Sequence, residues 1–102
     1  MKKKKIYGTN KKPRISIFKS NKEIYVQIID DINHHTILSY SSLKEEKKKM
    51  TKIQMSKIIG KKIAIKMLKN NIEIAFFDRK NYIYHGRIKC LIESIRKEGI
   101  KI

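Results

Sequence analysis

Apolar and polar residues alternate over Arg14-Ile15-Ser16-Ile17-Phe18-Lys19, directly after Pro13, and again from Glu23 to Ile29, so two β-strands are expected there. Ser20-Asn21-Lys22-Glu23 between them suits a tight turn, asparagine tolerating the left-handed backbone such turns use. With Asn21 and Lys22 as the turn residues, Lys19 faces Ile24, Phe18 faces Tyr25, Ile17 faces Val26, Ser16 faces Gln27 and Ile15 faces Ile28. Side chains alternate along a strand, so Ile15, Ile17, Ile24, Val26 and Ile28 share a core face, and Arg14, Ser16, Phe18, Tyr25 and Gln27 share the other. Asp30 to His35 is a polar connection, and Thr36 to Ser42 reads as a third antiparallel strand of weak alternation.

The period then changes. Leu43 to Met50 is a charged surface connection, and Thr51-Lys52-Ile53-Gln54 has the form of a capping box, which predicts a helix from just after Thr51. Met55, Ile59, Ile63 and Met67 mark its apolar face, with Ile58 and Leu68 widening the stripe. Gly60 and Ala64 form a small-residue strip expected to approach the sheet, and Asn70-Asn71 ends the helix. The run Ile72 to Phe77, more continuously apolar than the hairpin strands, predicts an inner strand covered on both faces. Ile88, Leu91, Ile92 and Ile95 mark a second helix that stops at Gly99, where Ile100 is placed to close the cap. The expected fold class is therefore two-layer α/β: a three-stranded antiparallel start, then helix, inner strand and helix packed on one mixed sheet. At 102 residues there is room for one core. Residues 13–102 form the single domain, and residues 1–12, with six lysines and no periodic apolar pattern, form a basic arm.

Charge changes the picture from a fold to a partner. Lys and Arg number 26 against 9 Asp and Glu, a formal charge of +17 that strains a compact state unless a polyanion shares the surface. Nucleic acid fits better than an anionic membrane, because the cations are scattered along the chain and no apolar run nears the ~20 residues of a spanning helix. Met1-Lys2-Lys3-Lys4-Lys5 is followed by no apolar segment, so export by a signal peptide is not expected. The single cysteine, Cys90, excludes an internal disulfide and reads as a packing residue. The three histidines offer no ligand pair at zinc-finger spacing. Asp30 and Asp31 beside His34 and His35 read as solvated turn residues. No cofactor, metal or small-molecule substrate is expected.

Arginine survives only at positions 14, 79, 87 and 96 in a lysine- and isoleucine-rich chain, the bias an AT-rich genome produces. A guanidinium fork grips phosphate or a base edge in ways an ammonium does not, which singles out Arg14, Arg79 and Arg87, with Arg96 as a helix-face residue. The loop from Asp78 to Arg87 places Tyr82 and Tyr84 among Arg79, Lys80, His85 and Arg87 ahead of a helix N-terminus, the mixture of stacking surfaces and cations that looped RNA calls for. Gly86 there allows close backbone approach, so that one phosphate could meet Gly86, the helix end and Arg87 together. A connecting loop whose tyrosines cover the core is an equal alternative for this stretch alone. The Phe18 and Tyr25 pair, rimmed by Arg14, Ser16 and Gln27, either stacks on bases or simply stabilises its hairpin, and the charge favours the former. Asp78 is expected to pair with Arg79 or Arg87, or to cap its loop.

Gly8-Thr9, Lys12-Pro13-Arg14-Ile15-Ser16-Ile17-Phe18-Lys19-Ser20-Asn21-Lys22, Ile24-Tyr25-Val26-Gln27-Ile28-Ile29-Asp30-Asp31, Phe77-Asp78-Arg79 and Tyr82-Ile83-Tyr84-His85-Gly86-Arg87 together resemble the bacterial-type L18 family of ribosomal proteins. The resemblance runs in order from Gly8 to Ile102. It implies a single α/β domain of the large ribosomal subunit that binds 5S rRNA and helps seat it in the central protuberance, beside large-subunit rRNA and neighbouring ribosomal proteins. The RNA-facing surface it implies comprises Lys3, Lys4, Lys5, Lys11 and Lys12 of the arm. Arg14, Ser16, Phe18, Lys19, Ser20, Asn21, Lys22, Tyr25 and Gln27 of the hairpin join them, with Arg79, Tyr82, Tyr84, His85, Gly86 and Arg87 of the loop. Residence in the ribosome follows, in a plastid stroma or in the cytoplasm of an AT-rich bacterium or endosymbiont. Two rivals remain at this point. A metal-dependent nuclease would need Asp30, Asp31, Glu73 and Asp78 to converge, and a basic protein-interaction module would use an apolar, salt-insensitive interface.

Overall fold

β1 (Arg14–Lys19) and β2 (Ile24–Asp30) pair antiparallel with Phe18 opposite Tyr25, Ile17 opposite Val26 and Ile15 opposite Ile28, the register that alternation and a two-residue turn require. The structure, a computed structural model, describes residues 8–44, 50–78 and 84–102. The turn is closed by the Ser20 amide donating to the Glu23 carbonyl at 2.9 Å and the Glu23 amide donating to Ser20 Oγ at 3.2 Å.

β3 (His35–Ser41) pairs antiparallel with β2, starting and ending one residue earlier than the expected 36–42. Its weak alternation has a cause: Ile28 faces Leu38 but Ile29 faces Thr36, so Ile37 is the extra residue of a bulge. Ile37 and Leu38 consequently both pack, half-buried, against the core. Asp30, expected to be solvated, is buried and builds the β2–β3 turn by accepting from the Ile32 amide at 3.0 Å and from Asn33 Nδ2 at 2.7 Å.

α1 (Lys52–Lys69) starts at the expected capping box, with the Gln54 amide donating to Thr51 Oγ1 at 3.1 Å and the Thr51 amide donating to Gln54 Oε1 at 2.9 Å. Asn70 Nδ2 donates to the Lys66 carbonyl at 2.8 Å, and Asn71 turns the chain out at φ 60°. Its buried face is Ser56, Ile59, Gly60, Ile63, Ala64 and Met67, while Leu68, expected in the stripe, is exposed.

α2 (Gly86–Lys97) buries Ile88, Leu91, Ile92 and Ile95, as its spacing predicts. Gly99, at φ 106°, donates its amide to the Arg96 carbonyl at 3.0 Å, a backbone geometry only glycine adopts freely, and Ile100 folds back into the core. Gly60, in the small-residue strip of α1 expected to approach the sheet, meets α2. A methyl on Gly60 would lie 2.5 Å from the Leu91 carbonyl oxygen and 2.8 Å from Ser94 Cβ. Both targets demand small residues, so α1 alone does not reveal which one it meets.

β4 (Phe76–Asp78) corrects the expectation of an inner strand. The order is β3-β2-β1-β4, with β4 parallel to β1 at the end of the described sheet, Ile15 facing Phe77 and Ser16 facing Asp78. The apolar run before it serves the core from outside the sheet's centre. Ile72 and Ala75 are buried, Ile74 is exposed, and the backbone is zipped to the C-terminal segment by Ala75 N to Lys101 O and Lys101 N to Glu73 O, each 2.9 Å. The core lies between one sheet face and the helices. Ile15, Ile17, Ile24, Val26 and Ile28 meet Ile59, Ile63, Met67, Leu91, Ile92 and Ile95 there, each such side chain contributing roughly 1.5–3 kcal/mol on burial. The opposite sheet face carries no helix among the described residues and is where the candidate site lies.

Candidate nucleic-acid interface

On that face the hairpin register places Phe18 and Tyr25 side by side, their rings stacked at 4.8 Å between centroids and 14° between planes. Tyr25 is 38% exposed, so it offers an aromatic surface backed by a second ring. Lys19, Ser20, Asn21 and Lys22 are exposed at the hairpin tip, and Lys11 and Lys12 are exposed in a small turn closed by the Lys12 amide on Thr9 Oγ1 at 3.0 Å. Gln27 is half-buried. Ser16 lies on the expected face but is buried, between Gln27 on β2 and Asp78 on β4, and its hydroxyl has no hydrogen-bond partner among the described residues.

Arg14 anchors the opposite end of the hairpin from the tip. Its Nε and Nη2 donate to the two oxygens of Asp31 at 2.9 and 3.0 Å, and its Nη1 donates to Asp78 Oδ2 at 3.1 Å. The side chain is only 19% exposed, so the fork is directed at protein carboxylates. The bond from Arg14, ahead of the amide of Gly8, holds the Asp31 carboxyl below the usual range, and the Asp31 hydrogen bonds raise the Arg14 pKa in turn. Gly8 is buried and donates its amide to Asp31 Oδ2 at 2.7 Å, so the chain ahead of β1 is tied to the same cluster. Asp78 thus accepts from Arg14, while of the partners expected for it Arg87 turns to carbonyls and Arg79 lies outside the described residues; Asp31 is an ion-pair partner, where solvation was expected.

Arg87 holds the other end. Nη1 donates to the Ser20 carbonyl at 2.8 Å and Nη2 to the Glu23 carbonyl at 2.7 Å, pinning the start of α2 to the hairpin turn. Ser42 Oγ accepts from the Ile24 amide at 3.0 Å and donates to the Glu23 carboxylate, fixing the same turn from the β3 side. Tyr84 donates to Glu93 Oε1 at 2.9 Å, accepts from Arg96 Nη1 at 3.2 Å and packs at 6.4 Å from Phe77. Burial first, and Glu93 second, raise its phenol pKa. His85 is exposed at the start of α2, without a side-chain capping bond, and Gly86 beside it is half-buried. Lys3, Lys4, Lys5, Arg79 and Tyr82 fall outside the described residues. No group of three or more His, Cys, Asp or Glu side chains placed to hold a metal occurs among the described residues.

A family model described as "Ribosomal L18 of archaea, bacteria, mitoch. and chloroplast" matches residues 2–102. The chain belongs to the ribosomal L18 family. Large ribosomal subunit protein uL18 of Clostridium beijerinckii is 43% identical over 99 residues, covering 96% of this chain and 83% of that protein. The Exiguobacterium sibiricum protein of the same name is 47% identical over 96 residues, covering 94% and 81%. Large ribosomal subunit protein uL18c of Gracilaria tenuistipitata var. liui is 48% identical over 103 residues, covering 97% and 98%. As an L18-family member the chain is a structural constituent of the large ribosomal subunit and not an enzyme.

Within this L18-family chain, then, every described arginine directs its fork at protein: Arg14 at carboxylates, Arg87 at carbonyls, Arg96 at Tyr84 and Glu93. Ser42, Glu23 and Glu93, partners that hold the site, carried no motif that would have singled them out, and Asp31, though within a stretch that carries the resemblance, reads from sequence as a solvated turn residue. A checkable consequence concerns Arg87→Lys, which keeps the charge but cannot span two carbonyls from one ammonium. Loss of one charge-assisted bond costs about 1–2 kcal/mol of stability in urea unfolding. A variant as stable as the parent would show that the fork does not hold the hairpin.

Proposed function

We propose that this L18-family chain binds 5S rRNA and helps attach it to the central protuberance of the large subunit, contacting large-subunit rRNA and neighbouring ribosomal proteins as well. The observation that carries the reading is the stacked Phe18–Tyr25 pair, its outer ring open, on a hairpin clamped at both ends by Arg14 and Arg87 and tipped with Lys19 and Lys22. A rigid aromatic surface next to point charges is what an unstacked base and its flanking phosphates require. Lysines supply affinity and the ring supplies register. Residues 13–102 serve as the RNA-binding domain, and the basic arm, residues 1–12, lies along phosphates. The ribosome concerned is bacterial or plastid, relatives of both kinds being similar.

The test is Tyr25→Ala, measured for binding to 5S rRNA and to an unrelated RNA duplex at one salt concentration. Loss of a stacked base weakens 5S binding about tenfold, ~1.4 kcal/mol, with little change on the duplex or in melting temperature. A lower melting temperature with 5S binding intact would make the pair a strut of the hairpin and remove it from the interface.

A further inference from the structure

α1 and α2 cross closely at Gly60, and on the solvent side of that crossing two clefts of about 270 and 370 Å³ join through Lys57, Ser94 and Lys97. Lys61 lines one and Lys89 the other, so four ammonium groups from two helices edge one groove. None of the four has a hydrogen-bond or ion-pair partner among the described residues. Of the two carboxylates in the groove, Glu93 is occupied by the Tyr84 hydroxyl and Arg96, which leaves its field positive. The helices cover one sheet face, so this groove lies on the side of the molecule away from the Phe18–Tyr25 pair.

We propose that the Lys57, Lys61, Lys89 and Lys97 groove is a second RNA-backbone site, separate from the hairpin face. The proposal rests on the chain's being an rRNA-binding protein and adds a second point of contact. The choice of RNA over a protein partner follows from the lining. Protein interfaces are anchored by buried aromatic or arginine side chains, and the groove offers none, its lining being lysines, glutamates, Ser94 and Cys90. Phosphates need only positive groups at intervals on flexible stems, and each lysine neutralising a phosphate releases counterion. With a site on each side, the chain joins two RNA segments through its own thickness.

Cys90, the single cysteine, lines the groove and supplies the probe. Large subunits are reconstituted with the chain carrying a short azidophenacyl photocrosslinker on Cys90, and in parallel with the same probe on Asn21→Cys in a Cys90→Ser background. Irradiation links Cys90 to rRNA. Lys57→Gln, Lys61→Gln, Lys89→Gln and Lys97→Gln together lower that yield about fivefold or more while leaving the hairpin yield within about twofold. No link from Cys90, or links to protein only, overturn the proposal. So does a yield unchanged in the four-lysine variant, or reduced as much by Lys52→Gln, Lys69→Gln and Lys101→Gln, which lie outside the groove. A missing RNA link from the Asn21 probe, with the Cys90 link intact, counts against the hairpin reading and for the groove.

Discussion

Arg14→Ala is expected to lower stability by about 2–3 kcal/mol at pH 7, a buried-pair loss of about 3–5 kcal/mol discounted for partial exposure. The side chains of Arg14 and Asp31 are 19% and 21% exposed, and truncation leaves two carboxylates, Asp31 and Asp78, without the guanidinium between them. The acid side distinguishes this loss from simple packing damage. Asp31 in the folded protein sits below its ordinary carboxyl pKa, chiefly because Arg14 donates to it, so the folded state holds its proton less tightly than the unfolded chain does. The stabilisation is therefore complete above the unfolded carboxyl pKa, about 3.9, and disappears as pH falls through the lower folded value. Urea unfolding of parent and variant should show a gap that is wide at pH 7 and narrows below about pH 4. A gap of the same size at pH 7 and pH 3 would assign the loss to packing. Arg14→Lys should restore only part, since one ammonium cannot span Asp31 and also reach Asp78.

The same cluster shows where sequence reasoning stopped. The rarity of arginine singled out Arg14 and Arg87 as forks for phosphate or a base edge, and in the structure both forks are directed at protein acceptors. Rarity does not name the acceptor. A fork suits two carboxylate oxygens or a pair of carbonyls as well as it suits phosphate, and the acceptors here come from residues 17, 64 and 67 positions away in the chain. No local pattern encodes such pairs. Under the proposed 5S rRNA reading, the charge offered to phosphates by the described hairpin residues therefore comes from lysine, and register falls to the aromatic surface.

Elements governed by local rules were legible. The hairpin register followed from parity and a two-residue turn, the start of α1 from Thr51 and Gln54, and the buried stripe of α2 from Ile88, Leu91, Ile92 and Ile95. Ile72 to Phe77 was not, for a physical reason. A mostly apolar run reports burial of some of its side chains and not its place in the sheet; here Ile72 and Ala75 are buried while the backbone pairs with the C-terminal residues, leaving β4 at the end of the described sheet. The strand was expected from an apolar run, yet the residues that pair with β1 are Phe76 to Asp78, only the last of them polar.

Gly60 carries the second large effect, and its sign decides between two opposing terms. On helix propensity alone Gly60→Ala would stabilise by about 1 kcal/mol, since alanine loses less backbone entropy. At this position the added methyl would sit 2.5 Å from the Leu91 carbonyl oxygen, part of the backbone of α2, and a helix carbonyl cannot rotate away as a side chain does. α2 must move outward as a unit, loosening Leu91, Ile92 and Ile95 from the core together. Overpacking of this kind costs about 1–3 kcal/mol, so Gly60→Ala should come out destabilising by about 1 kcal/mol, and Gly60→Leu, with nowhere to place three further carbons, by about 3 kcal/mol or more. Lys61→Ala, one position along on the exposed side, should stay within about 0.5 kcal/mol of the parent. Urea unfolding of the three variants checks the order. If Gly60→Ala proves more stable than the parent, the helices are not in backbone contact there, and the groove edged by Lys57, Lys61, Lys89 and Lys97 is wider than the structure makes it.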